Sequence, residues 1–87
     1  MKPIRFSNHA RRRMAGRGAT EAEVIETIQS GKWLPALENK VQIRKTFRYE
    51  QSSPVNQKVY KFKTVHVIFA EEETAITIVT ILVYYSN

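Results

Sequence analysis

The hydrophobic period changes once along the chain, at Gly31, and that change decides most of what the chain can fold into. Before it, apolar residues recur three and four apart: Ala10 with Met14, then Val24 and Ile25 with Ile28. After it, Val41, Ile43, Lys45, Phe47 and Tyr49 alternate with Gln42, Arg44, Thr46, Arg48 and Glu50. A period near 3.6 belongs to helices with one buried stripe, and a period of two to strands with one buried face. The chain is therefore expected to place its helices first and its sheet second.

Local signals sharpen that division. Ser7 is placed to cap a first helix over residues 8–15, with Gly16 and Gly18 at its exit, where positive φ suits glycine. Thr20 and Glu23 form a capping box that starts a second helix, which stops at Gly31; Glu21 and Glu23 complement its dipole and need no catalytic explanation. Residues 32–35 form a bridge in which Trp33 and Leu34 cover the core edge, and 41–50 read as the first long strand. A turn-rich stretch follows at 51–56, then 58–63 and 65–70 as two strands or one long strand with a break. Glu71, Glu72 and Glu73 form a polar hairpin tip. Residues 75–85 are β-branched almost throughout, which predicts a mid-sheet strand buried on both faces. With a short strand at 3–6, the expected fold is α+β in two layers: a short N-terminal strand, two helices, then an antiparallel meander of three or four strands. Residues 1–87 form a single domain on this reading, and the sheet face away from the helices is free to bind.

Composition narrows the function classes. There is no cysteine, so disulfides and thiolate metal sites are excluded and a reducing compartment fits. No apolar run approaches the ~18 residues of a membrane span, and the N-terminus lacks the apolar core of a signal peptide. A cytoplasmic protein without a membrane partner is expected. His9 and His66 lie far apart with no carboxylate cluster nearby, and no phosphate-loop or dinucleotide signature occurs, so neither metal nor cofactor is expected. The net charge is +6, unevenly spread: Lys2, Arg5, Arg11, Arg12, Arg13 and Arg17 precede any acid, whereas residues 64–87 hold three Glu and no Lys or Arg. Such polarity points to a polyanion, RNA first, or to an acidic protein.

The run Phe6-Ser7-Asn8-His9-Ala10, with Arg13-Met14 and Arg17-Gly18 at fixed spacing before an acidic amphipathic helix, resembles the opening of the family known as domain of unknown function 4258. The late run Ile78-Val79-Thr80-Ile81-Leu82 resembles that family's closing strand, and Ala19 stands where its members commonly have Ile. The helix–helix–meander order is similar to the RelE-like and barnase-like small ribonucleases, many of them toxins paired with antitoxins. That similarity implies RNA cleavage and an antitoxin partner.

Metal-free RNA cleavage needs a group to move protons near neutrality and cations to neutralise the phosphorane, for which His and Arg are the suited side chains. His9, Arg13 and Arg17 recur every four residues and share one helical stripe: His9 is expected as general base or acid, Arg13 and Arg17 as phosphate clamps. From the sheet, Thr80 is expected to orient His9, and Tyr84, of the same parity, to stack on a base or donate to a phosphate. Arg11 and Arg12 strengthen encounter with RNA, while Arg44 and Arg48 project from one face of the first long strand to follow its backbone. His66 is a candidate acid–base partner of His9. Structural readings stand beside these: local hydrogen bonding for His9, pairing with Glu26 for Arg13, backbone satisfaction for Thr80, a purely structural His66. Two functions remain open, a metal-independent endoribonuclease and a non-catalytic module binding RNA, DNA or an acidic protein; an oligomerising subunit pairing through the last strand is a third.

Overall fold

Ser7 ends the first strand, β1 (Ile4–Phe6), by capping the helix that follows, its hydroxyl accepting from the Ala10 amide at 3.0 Å. A computed structural model describes residues 2–87 of the chain. Helix α1 (Asn8–Arg17) runs two residues further than the sequence predicts; Gly16 is exposed within it, and only Gly18 takes the left-handed conformation, at φ 85°. The predicted capping box is present at Thr20, whose hydroxyl accepts from the Glu23 amide while the Glu23 carboxylate accepts from the Thr20 amide. It starts α2 (Glu21–Gln29), which buries Val24, Thr27 and Ile28.

The remaining strands are β2 (Leu34–Pro35), β3 (Val41–Ser52), β4 (Val59–Glu71) and β5 (Ile76–Ser86). The three long ones form the expected antiparallel meander, and of the two readings of 58–70 the single long strand holds, as Val59–Glu71 without a break. Flanking strands extend it to a mixed five-stranded sheet in the order β1-β5-β4-β3-β2, β1 joining parallel to β5. Both helices pack on one face, where Ala10, Met14, Val24 and Ile28 meet Ile43, Val65, Val67, Phe69, Ile78 and Ile81. The opposite face is uncovered, which corrects one expectation. β5 is not buried on both sides: Ile76, Ile78 and Ile81 are buried, but Leu82 is half-buried and Tyr84 exposed. β1 flanks it only along Ile76–Ile78, because Ser7 has already turned the chain into α1.

β5 keeps its apolar face on the core only by skipping one residue. Phe69 pairs with Ile78 and Ile68 with Thr80, so Val79 is the extra residue of a β-bulge. Before the bulge Ile76 and Ile78 face the helices; after it the core-facing set is Ile81, Val83 and Tyr85. Thr80, Leu82 and Tyr84 are thereby turned to the open face.

The exit of α1 is locked into the sheet. Tyr85 Oη donates to the Arg17 carbonyl at 2.6 Å, and burial first, then Tyr49, pushes this phenol's pKa up. Lys63, only 4% exposed, donates to the Gly18 carbonyl at 2.9 Å and pairs with Glu23 at 2.8 Å, beneath the Tyr49 ring. Position 63 reads in the sequence only as the end of a strand, with no sign that its lysine would be buried against a carboxylate. Trp33 packs edge-on against Phe69 and donates to the Ile28 carbonyl, as its expected role requires, whereas Leu34 is exposed. A Cβ on Gly18 would sit 2.6 Å from Tyr85 Oη and 2.7 Å from Pro54 Cγ; around Gly16 nothing lies within 4 Å. Gly18→Ala is therefore expected to cost about 2–4 kcal/mol through strain and overpacking. Gly16→Ala, in an exposed helical turn, should add about 0.5–1 kcal/mol. Urea unfolding midpoints of the two variants, shifted in opposite directions, check both.

Candidate functional site

His9 stands in the first turn of α1, exposed, over the stretch of β5 that β1 leaves unflanked. Its Nε2 lies 3.4 Å from Arg13 Nε and 3.4 Å from Thr80 Oγ1. A guanidinium can only donate, so in this arrangement Nε2 is the acceptor and Nδ1 carries the proton of the neutral ring. Both contacts are long for hydrogen bonds, so an incoming hydroxyl can displace them without loss of a strong partner. Helix spacing brings Arg13 to His9, four residues on; the bulge brings Thr80. Arg13 is exposed and does not pair with Glu26, whose carboxylate lies 3.9 Å from Lys45.

Arg17 leaves the stripe it shares in sequence with His9 and Arg13. It is half-buried and donates to the Ile81 carbonyl at 2.7 Å, satisfying a β5 acceptor beyond the end of β1. Arg11 is also engaged, pairing with Glu21 and lying 5.4 Å over the Phe6 ring, while Arg12 is exposed. Tyr84 shares the open face with Thr80 but lies beside Thr64, about 13 Å further along the strand. At 50% exposure it is accessible there, apart from His9. Arg44 and Arg48 are exposed on the same face of β3. Of the sequence-predicted set, His9, Arg13 and Thr80 come together; Arg17 and Tyr84 do not join them.

His66 is 6% exposed on the open face, opposite Arg44 and Leu82, and no hydrogen bond joins it to His9 among the described residues. Its partner is Gln42, which sequence alternation marked only as a polar-face residue. The Gln42 amide nitrogen donates to the Pro35 carbonyl at 2.8 Å, which directs its oxygen to His66 Nε2 at 2.8 Å. His66 therefore donates from Nε2, and Nδ1 is buried without a partner among the described residues. Beyond Gln42 lies a cavity of about 480 Å³ between the turn at 36–40 and the β5 bulge, with Thr80 in its wall. Among the described residues no group of His, Asp and Glu is arranged to hold a metal ion, and no helix is long and apolar enough to cross a membrane.

Burial first, then the Arg44 guanidinium, lowers the pKa of His66 below its ordinary 6.5. The unfolded chain takes up this proton near pH 6.5, the folded chain only below that. The stability His66 contributes is thus complete above about pH 6.5 and is lost as the pH falls through that window. Thermal unfolding between pH 7.5 and 5 is expected to show falling stability in the wild type and a shallower fall in His66→Leu; equal slopes would contradict this.

Residues 6–83 match the family described as Domain of unknown function (DUF4258), a span that takes in both helices, the bulge and His9, Arg13 and Thr80. No curated protein and no solved structure matches the chain.

Proposed function

The chain belongs to the DUF4258 family, and from that premise we propose that it is a metal-independent endoribonuclease whose reaction centres on His9. The observation that carries this reading is the exposed Nε2 of His9, an acceptor faced by Arg13 and Thr80 at 3.4 Å each. His9 takes the proton of a ribose 2′-hydroxyl as that oxygen bonds to phosphorus. The bond from phosphorus to the 5′-oxygen breaks, and the leaving oxygen takes a proton from the imidazolium just formed or from water. The products are a 2′,3′-cyclic phosphate and a 5′-hydroxyl. Arg13, released from Nε2, pairs with the non-bridging oxygens, and Thr80 orients the ring in the resting site until the 2′-hydroxyl takes its place.

Arg17 acts through position, holding α1 to β5 so that His9 and Thr80 stay in reach. Arg44 and Arg48 follow the backbone of the flanking strand, where Tyr84 is accessible to stack on a base. The helix–helix–meander order, similar to that of the RelE-like toxins, supports adding a restraint in the cell: an antitoxin protein covering the basic face. A second reading has one observation in its favour. With Arg17 committed to Ile81, only Arg13 is left beside His9 as a clamp, and a face with few clamps suits a binding module for RNA, DNA or an acidic protein.

Labelled single-stranded RNA incubated with the chain in EDTA separates the two. Wild type is expected to leave 2′,3′-cyclic ends. His9→Ala should slow cleavage by about 10²–10⁴-fold with an unchanged circular dichroism spectrum. Cleavage indifferent to His9→Ala rules out the assignment, and salt-sensitive binding without cleavage selects the binding module.

A further inference from the structure

The cavity beside Thr80 offers more than the reaction at His9 requires. We propose that it is a nucleobase subsite, receiving a base next to the cleaved phosphate; the inference rests on the RNA reading above. Its walls are largely apolar, formed by Leu37, Ile68 and Val79, and the polar groups Gln42, Thr80 and Lys40 are set among them. At about 480 Å³ it lies within the range of small-ligand sites. A flat ring system with a polar edge fits such a lining better than a phosphate does. The one cation in it, Lys40, already donates to the Glu38 carbonyl at 3.2 Å.

Gln42 is the group that would read the edge of the base. Two hydrogen bonds of 2.8 Å, to the Pro35 carbonyl and to His66 Nε2, hold its amide in one orientation. An amide has two N–H donors and two acceptor lone pairs, so one of each remains unused. A donor and an acceptor on one fixed group match a base edge, as Gln commonly does in nucleic-acid recognition. His66, buried behind it, keeps the amide oxygen occupied on that side.

Location ties the cavity to the reaction. Thr80 lines it and also lies 3.4 Å from His9 Nε2, so a base in the cavity places its own ribose and phosphate beside the imidazole. The outer wall is a turn whose Glu38 and Asn39 both hold positive φ, 58° and 59°. That backbone presents Leu37 at 88% exposure, an apolar lip with no core to cover. A base filling the cavity would cover it.

The test is a titration of the ¹⁵N-labelled full chain with the four nucleoside 3′-monophosphates, and with ribose 5-phosphate as the probe lacking a base. At least one nucleotide is expected to shift the amides of residues 36–42, Ile68, Val79 and Thr80, and to bind at least ten-fold more tightly than ribose 5-phosphate. Gln42→Leu should remove most of that preference. Because Gln42 also anchors Pro35, Leu37→Asp, at an exposed position, is the second variant and should weaken nucleotide binding about five-fold or more. Ribose 5-phosphate binding as tightly as every nucleotide, or shifts confined to other residues, overturns the subsite. RNA cleavage by wild type without base-dependent binding overturns the subsite and leaves the reaction at His9 standing. Base-dependent binding in a chain that does not cleave supports the subsite and removes the reaction.

Discussion

One extra residue in β5, Val79, sets what the two faces of the sheet can do. Strict alternation from Ile76 and Ile78 would turn Thr80 into the core and Ile81 outward. The bulge reverses both. Ile81 becomes fully buried under α1, and Thr80 emerges at the edge of the open face, within reach of His9. A threonine hydroxyl in the core would need a backbone partner; here it meets an imidazole and lines a cavity. The same residue thus preserves hydrophobic burial and brings a sheet hydroxyl to an exposed imidazole of α1.

That meeting depends on α1 being held at both ends. Ser7 fixes its start, directly after β1 leaves the sheet. Its exit is held by Gly18 against Tyr85 and Pro54, by Lys63 on the Gly18 carbonyl, and by Arg17 on the Ile81 carbonyl. Between those anchors Ala10 and Met14 bury the stripe facing the sheet. His9 and Arg13 lie on the flank of the same cylinder, exposed but with little freedom to move relative to β5. Lys63 is buried and Glu23 half-buried, so breaking their pair strands a charge on the lysine side, at a cost below the ~3–5 kcal/mol of a fully buried pair. Displacement of the helix exit is opposed accordingly, which bears on His9 although that exit at Arg17 lies about 12 Å from it along the helix.

The sequence was legible wherever the signal is local. Both N-caps, the capping box, the Gly18 turn and the alternation along β3 each follow from a few adjacent residues, and the structure has all of them. Long-range choices were not. Nothing near Ile4 says that β1 will join β5 in parallel, and nothing in the run at 75–85 marks a bulge, since β-branched residues suit either face. The burial expected on both faces of β5 fails for that reason: apolar composition does not ensure coverage, and both helices pack on one side. In the candidate site, helical spacing gave His9 and Arg13, and Thr80 was marked as the lone hydroxyl of its strand. Arg17 sat on the same stripe, but its long side chain turned to an unpaired strand carbonyl, a demand visible only once β1 is seen to end at Phe6. Gln42 carried no signal, because its value lies in two partners fixed by tertiary contact.

The proposed function requires that RNA meet the chain at Nε2 of His9 and not at the buried His66. Long-range ¹H–¹⁵N spectra of the two imidazoles, followed while a short oligoribonucleotide carrying 2′-deoxy sugars is added, read this directly. The His9 Nε2 resonance is expected to move with saturation while the His66 signals hold nearly still. Saturable RNA binding that leaves His9 unmoved would contradict the account.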